Sequence, residues 1–323
     1  MPHLAARVPA AKAPLVVEEI ETPQLGTREI LVKNRIIAIQ PIDAKIAKVA
    51  MLPIPYPAIL GSSLVTVIGM KTGGAVQDKY SAFQEYSISN VVTATKVPDD
   101  ATLDLAVRLV GNLPTVAALF NAALKLERPV PGSQPQARGK RMLIYGGTSS
   151  IGSLAVQYLT QAGYQVVTTT SPQHQGFVSK LGAIRVINHR QSFEDTLRDL
   201  VAAGPYDMVL DTISTADTVK LNAQVVAAQG GDSVYALQPP FAPETLPAGI
   251  TRKFEGWSLL LGKEENAELL EWTFATYFPQ ALAHDSLISV PARKIPGGLG
   301  GLNDALDLLF FKGVSGEKVV VDL

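Results

Sequence analysis

The sequence predicts an α/β protein: a doubly wound parallel sheet, with β-rich sequence before it and again near the end of the chain. Three observations carry this. From about residue 141 onward, short apolar runs alternate with segments of helical period, the pattern of parallel strands joined by right-handed crossovers. The first of those strands leads into a glycine-rich turn that opens a helix. Over the first hundred residues the runs are instead β-branched and bounded by Pro and Gly. At 323 residues the chain is long enough for two sizeable cores.

In chain order, residues 15–20 and 29–39 read as strands. Pro53, Pro55 and Pro57 at alternate positions exclude a helix and give an extended loop. Short strands are expected over 58–61, 64–69 and 82–88. The apolar spacing turns helical over 103–110 and 115–126, and a polar connection follows over 128–140. Strands at 142–145, 165–170, 185–187, 207–211 and 232–237 then alternate with helices over 151–162, 177–181, 193–203 and 215–228. A strand is expected over 253–257, a long helix over 266–283, and a closing strand over 318–323.

Composition narrows the chemistry. A net charge of -1 gives no field that would draw the chain to nucleic acid or an anionic membrane. The longest apolar runs, such as Leu259-Leu260-Leu261 and Val319-Val320-Val321, are too short to span a bilayer. Residues 1–7 lack the charged and apolar regions of a signal peptide, and Val321-Asp322-Leu323 is no peroxisomal signal, so a cytoplasmic protein is expected. With no cysteine, thiolate zinc sites, disulfides, iron–sulfur clusters and a cysteine nucleophile are excluded. His3, His174, His189 and His284 show no metal-ligand spacing, so zinc-independent chemistry is expected.

The strongest local motif is Leu143-Ile144-Tyr145-Gly146-Gly147-Thr148-Ser149-Ser150-Ile151-Gly152. Such a turn aims backbone N–H groups and a helix N-terminus at a pyrophosphate; the plain alternative is a tight strand–helix turn with no ligand. Ser149 stands where the G-x-G-x-x-G pattern has its middle glycine. The next strand ends Thr168-Thr169-Thr170-Ser171-Pro172, without the acidic residue that accepts from a ribose 2′-OH. Ser171 can donate to a 2′-phosphate, which favours NADP(H) over NAD(H). The nearest cation along the chain is Lys180, and Gln173 and His174 are neutral near neutral pH. Gly147 to Ile151 lacks the last glycine of a nucleophile elbow, which argues against a serine hydrolase.

Gln40-Pro41-Ile42-Asp43-Ala44-Lys45, Pro57-Ala58-Ile59-Leu60-Gly61 and Ala82-Phe83-Gln84-Glu85-Tyr86 precede this turn in an order that resembles zinc-independent medium-chain dehydrogenase/reductases of the quinone-reductase type. Ser171-Pro172, Leu181-Gly182-Ala183 and Val186-Ile187-Asn188 extend the likeness. Ile295-Pro296-Gly297-Gly298-Leu299 and Gly313-Val314-Ser315-Gly316-Glu317-Lys318 are similar to fungal trans-acting polyketide enoyl reductases in particular. The resemblance implies a Rossmann domain over 114–264 inserted into a GroES-like β-rich domain formed by 1–113 and 265–323, with the nicotinamide held in a cleft between them. It also implies catalytic roles for Lys45 and Thr115, and a substrate wall shaped by Asn112 and Pro114. The NADPH-binding positions it implies are Gly146, Gly147, Thr148, Ser149, Ser150, Ile151, Ser171, His189 (Tyr in many relatives), Asp211, Thr212, Ile213, Ala236 and Leu237. Lys45 as a solvated lysine and Thr115 as a simple helix start are the bland alternatives. By the same likeness, strand 253–257 is a possible dimer edge.

Two departures stand out. After Gly69, relatives continue with a further strand and loop, whereas Met70-Lys71-Thr72-Gly73-Gly74 runs quickly to Tyr80, so the GroES-like domain is shortened. Gln173 stands where the enoyl reductases tend to place Lys. Three functions stay open. The first is an NADPH-dependent reductase of an activated C=C bond on a small or carrier-bound polyketide-like substrate. The second is a redox-silent isomerase or cyclase, and the third a non-catalytic partner of a polyketide synthase.

Overall fold

The computed structural model describes residues 2–62, 77–98, 102–240 and 243–323. The chain forms two compact units, Met1–Pro114 with Leu261–Leu323, and Thr115–Leu260. The expected strand over 64–69 and the shortened stretch after Gly69 lie outside the described residues.

The first unit opens with β1 (Pro2–Val8), β2 (Val16–Glu21), β3 (Glu29–Lys33), β4 (Ile36–Ala38), helix α1 (Pro41–Val49), β5 (Ala58–Ile59), β6 (Tyr86–Asn90) and α2 (Leu103–Val110). Strand β1 is not foreseen from sequence, because Ala5 and Ala6 are weak strand formers. It pairs antiparallel with both β2 and β5, and buries Ala5, Ala6 and Val8. The single strand expected over 29–39 is two strands in different sheets. Asn34 is the reason: buried between them, its amide donates to the Gln84 carbonyl at 2.7 Å and the Ser87 hydroxyl at 2.8 Å. Strand β3 then pairs with β6, while β4 joins a C-terminal sheet.

The second unit begins within α3 (Leu113–Ala117), which has Pro114 in its first turn and runs on as a π-turn, Ala118–Ala123. Six strands follow: β7 (Arg141–Tyr145), β8 (Gln165–Thr170), β9 (Arg185–Asn188), β10 (Met208–Asp211), β11 (Ser233–Ala236) and β12 (Thr251–Lys253). Between them run α4 (Ser150–Gln161), the short α5 (Gln175–Val178), α6 (Phe193–Ala203) and α7 (Ala216–Ala228). All pairings are parallel, in the order β12-β11-β10-β7-β8-β9. This is the doubly wound order, whose direction reverses between β7 and β10. Leu143, Val167, Val209 and Val234 from the sheet pack with Leu200 of α6 and Val219 of α7, each such side chain stabilising by about 1.5–3 kcal/mol. The outer strand is Thr251–Lys253 rather than 253–257. Trp257 instead begins a 3₁₀ segment and buries its ring, donating from Nε1 to the Ala236 carbonyl at 2.9 Å.

The first unit resumes with α8 (Ala267–Glu271), a π-turn (Trp272–Tyr277), α9 (Phe278–Ala283), β13 (Ala292–Ile295), α10 (Leu302–Asp307) and β14 (Lys318–Asp322). The long helix expected over 266–283 is thus interrupted. Pro279 in the first turn of α9 offers no N–H to a helical bond, and the widened turn precedes it. Strand β14 lies between β13, parallel, and β4, antiparallel. Its Val319 and Val321 meet Ile37, Ile39, Leu302 and Leu306 in one core.

Candidate functional site

At the C-terminal end of β7 the backbone turns at Gly146, with φ +92°. A Cβ there would lie 2.7 Å from the Thr212 hydroxyl, and one on Gly152 would lie 2.2 Å from the Gly146 carbonyl oxygen. Only glycine permits helix α4 to start so close to the strand. Ser149 at the middle position is the cap of α4: its Oγ accepts from the Gly152 N–H at 2.9 Å and shares a hydrogen bond with Thr212 Oγ1 at 2.9 Å. The departure from a middle glycine therefore ties the turn to the end of β10. Positive partial charge at the start of a 12-residue helix faces the same turn.

Three buried threonines of β8 brace this turn. Thr169 Oγ1 accepts from the Gly146 N–H at 2.9 Å and its carbonyl accepts from Gly147 at 2.9 Å. The hydroxyls of Thr148 and Thr170 lie 2.8 Å apart. Thr168 covers Gly147 so closely that a Cβ there would be 2.4 Å from its Oγ1.

Beyond β10, Asp211 is fully buried, and its Oδ1 accepts from the N–H groups of Ile213 at 2.9 Å and Ser214 at 2.8 Å. Burial pushes the carboxyl upward, opposed chiefly by the Ser214 N–H. Ser214 carries the bracing onward: its hydroxyl accepts from the Leu237 N–H at 2.9 Å, tying the ends of β10 and β11. Gly146 to Ile151, Ser171, Asp211 to Ile213, Ala236 and Leu237 thus all lie at the C-terminal ends of parallel strands, where doubly wound sheets bind dinucleotides.

Around the ends of β8 and β9 lie Ser171, His174 and His189, which the sequence reading named, and Arg190, which it passed over. Ser171 is buried, and the His174 N–H returns to its carbonyl at 3.0 Å. The His189 N–H reaches the Thr170 carbonyl at 3.1 Å, and its ring meets that of Tyr145 edge-on at 6.1 Å. Burial, then Arg190, then His174 push the His189 imidazole below its ordinary value. Lys180, the cation singled out from sequence, is exposed on the 3₁₀ turn Ser179–Leu181, whereas Arg190 and His174 act directly on His189. The adjacency of His189 and Arg190 was the available signal.

On the first unit, Lys45 sits half-buried in α1, and desolvation lowers its ammonium from the ordinary value. Asn112 and Pro114 are buried; Thr115, half-buried, is the first residue of the other unit. Beneath α1 is a buried polar cluster that sequence reasoning missed. The Lys318 ammonium donates to Gln40 Oε1 at 2.5 Å, the Gln40 N–H to Asp43 Oδ2 at 2.9 Å, and the Ser62 hydroxyl to Asp43 Oδ1 at 3.0 Å. Asp43 closes the helix N-terminus as the acidic third residue of a capping box. Burial raises its carboxyl to about 6 and lowers the Lys318 ammonium to about 7.

The family described as "Zinc-binding dehydrogenase" matches residues 150–255. The chain is 31% identical to a dehydrogenase, azaJ, of Aspergillus niger, with 99% of each chain covered. It is 27% identical to the trans-enoyl reductase himH of Aspergillus japonicus, over 91% of this chain and 90% of that one. The azaJ alignment runs over 356 positions, more than the 323 residues present here, so that relative carries residues this chain lacks. Among solved structures, an alcohol dehydrogenase superfamily protein from Novosphingobium aromaticivorans superposes with TM-score 0.75 at 20% identity, 99% of each chain covered. A quinone oxidoreductase of Pseudomonas syringae gives 0.73 at 18% identity, over 99% of this chain and all of that one. The donor set does not fit the metal in the family's description: there is no cysteine, and no group of three His, Asp or Glu side chains among the described residues could hold an ion. In sequence and in fold, the chain belongs to the medium-chain dehydrogenase/reductase family of zinc-binding dehydrogenases, oxidoreductases whose architecture implies a nicotinamide cofactor.

Proposed function

We propose that this protein is an NADPH-dependent, zinc-independent reductase of a polarised C=C bond, an enoyl thioester or enone, in polyketide-type secondary metabolism. The observation that carries the cofactor reading is the end of β8: Thr170 and Ser171 place no carboxylate where a ribose would lie, and Ser171 adds a hydroxyl there. The braced turn Gly146–Ile151 and the start of α4 would hold the pyrophosphate. The enoyl reading is supported by relatives named trans-enoyl reductases in Aspergillus japonicus and Gibberella zeae. The resemblance to polyketide enoyl reductases seen in the sequence is what motivates a carrier-bound substrate and a synthase partner in this reading.

When bound, the nicotinamide supplies a hydride to the β-carbon. Lys45 is a proposed donor to the oxygen on which enolate charge develops, and Thr115 is the second residue that the sequence resemblance nominates; a half-buried ammonium holds such charge more strongly than a solvated one. Lys45→Met is expected to lower kcat by about a hundredfold while leaving the Kd for NADPH little changed, and Thr115→Val to act in the same direction. Absorbance loss of NADPH with an α,β-unsaturated thioester, matched mole for mole by saturated product, tests the whole reading. Product formed with NADPH unconsumed would replace it with the redox-silent isomerase or cyclase.

A further inference from the structure

Strand β12 is the edge of the parallel sheet, yet it carries a buried cation. The Arg252 side chain is 6% exposed, and that of Glu244, whose Oε2 lies 3.4 Å from Arg252 Nε, is 10% exposed. Arg252 Nη2 donates to the Gln238 carbonyl at 2.5 Å, so one guanidinium holds two points six residues apart in the segment after β11. Residues 236–238 are also held from within the unit. Trp257 Nε1 donates to the Ala236 carbonyl at 2.9 Å, the Leu237 N–H to the Ser214 hydroxyl at 2.9 Å, and the Gln238 side-chain amide to the Ile213 carbonyl at 2.8 Å. Asp211 in turn holds the N–H groups of Ile213 and Ser214. A chain of bonds therefore runs from the end of β10 through the end of β11 to the edge strand, and Arg252 is its outer anchor. That anchor is costly. Nε and Nη1 are buried and make no hydrogen bond, although unpaired buried donors are rare in folded proteins. An apolar side chain of similar length would avoid the cost. What the planar guanidinium supplies is a fixed place for the Gln238 peptide and for Glu244 at once.

We infer that Arg252 is a positioning residue for the nicotinamide half of the cofactor, acting through the main chain of residues 236–238. This rests on the NADPH reading above and adds a residue which that reading does not contain. A dinucleotide on a doubly wound sheet crosses the point where the strand order reverses, here between β7 and β10. With the adenosine ribose at the end of β8, the nicotinamide nucleoside falls over the ends of β10 and β11. There the Gln238 carbonyl is drawn to the edge strand and its side chain to Ile213, so the backbone beside them keeps a single conformation. Backbone already fixed in this way lowers the ordering cost of binding. The pyrophosphate turn is braced separately, by Thr169 and Thr170 of β8, so the two halves of the site can be disturbed one at a time.

The test is calorimetric titration of the full chain with two ligands, NADPH and 2′,5′-ADP, the second carrying the adenosine half alone. Arg252→Lys keeps the charge and loses the planar fork. It is expected to weaken NADPH binding by about tenfold and 2′,5′-ADP binding by less than about twofold. Glu244→Gln, which loosens the other side of the clamp, is expected to act in the same direction and more weakly. Retained affinity for 2′,5′-ADP reports in the same preparation that the Thr115–Leu260 unit is folded. Equal losses for both ligands, or an unchanged affinity for NADPH, would overturn the inference and leave Arg252 a structural residue. Failure of the wild-type protein to bind either ligand would overturn the cofactor reading itself.

Discussion

Gly152→Ala is expected to lower the stability of the Thr115–Leu260 unit by about 3 kcal/mol and to weaken dinucleotide binding by about tenfold or more. The reason is that the new methyl meets backbone. It would lie 2.2 Å from the Gly146 carbonyl oxygen, which cannot rotate away, and 2.7 Å from the Ser149 Oγ that caps α4. Relief requires α4 to withdraw from the turn, which breaks the cap and its link to Thr212. Overpacking of this kind costs about 1–3 kcal/mol and a lost cap about 1 kcal/mol. For a unit of this size the melting temperature should fall by about 10 °C. Gly176→Ala is the matched control, since nothing lies within 4 Å of its Cβ position; it should be neutral or slightly stabilising. Gly147→Ala is intermediate in character, because the obstruction is the Thr168 side chain rather than backbone. A Gly152→Ala protein with wild-type melting and affinity would show that turn and helix are not fixed together in this way.

Lys318→Met is expected to destabilise the first unit by about 3 kcal/mol, and by an amount that grows with pH. Lys318 is 3% exposed, and its removal takes one donor from the Gln40 carbonyl and the neighbouring cation from Asp43. The sign follows from the two titrations. The Lys318 ammonium falls to about 7 in the folded protein, against about 10.4 unfolded. Its contribution is therefore present above the unfolded value and lost as the pH falls through about 7. Asp43 runs the other way: raised to about 6, it favours folding below the unfolded value near 3.9 and loses that contribution as the pH rises through about 6. Wild type should thus gain on the variant between about pH 7 and about pH 10. Urea midpoints for both proteins across that range measure it. Parallel curves would mean that the buried amine does not titrate in the folded state. The double variant with Asp43→Asn should recover part of the loss, because the uncompensated carboxylate is gone.

Much of the parallel sheet was readable because its strands are continuous apolar runs separated by amphipathic helices. Strand Gln165–Thr170 and helix Phe193–Ala203 fall at their expected bounds. The failures have particular causes. Pro2–Val8 is a strand through pairing on both sides, not through its Ala-rich composition. Residues 29–39 read as one strand, since nothing in the residue type of Asn34 announces the three acceptors that bend the chain there. The edge strand was placed two residues late, drawn by the aromatic residues of 254–257, and Trp257 is a core side chain.

The glycine turn was legible, but its bracing by Thr168, Thr169 and Thr170 was not, because those hydroxyls find the turn only across strand pairing. His189 and Thr170 sit nineteen positions apart, and the β8–β9 register sets them side by side. Lys318 looks like an ordinary lysine before an apolar run. Its burial follows from β14 being the central strand of its sheet, a property of topology rather than of the local sequence.

That central strand also sets a schedule for the newborn chain. Strand β4 and the core around Ile37 and Ile39 are synthesised early, yet their partner is Lys318–Asp322. The Thr115–Leu260 unit needs nothing beyond its own residues to complete its sheet, and can close while the ribosome is still at work. The unit that starts first therefore finishes last, holding an unpaired apolar edge open until some three hundred residues have been made. Nascent chains halted before Lys318 should accordingly be the species that chaperones hold and that aggregation claims, with one unit native and the other waiting for its middle strand.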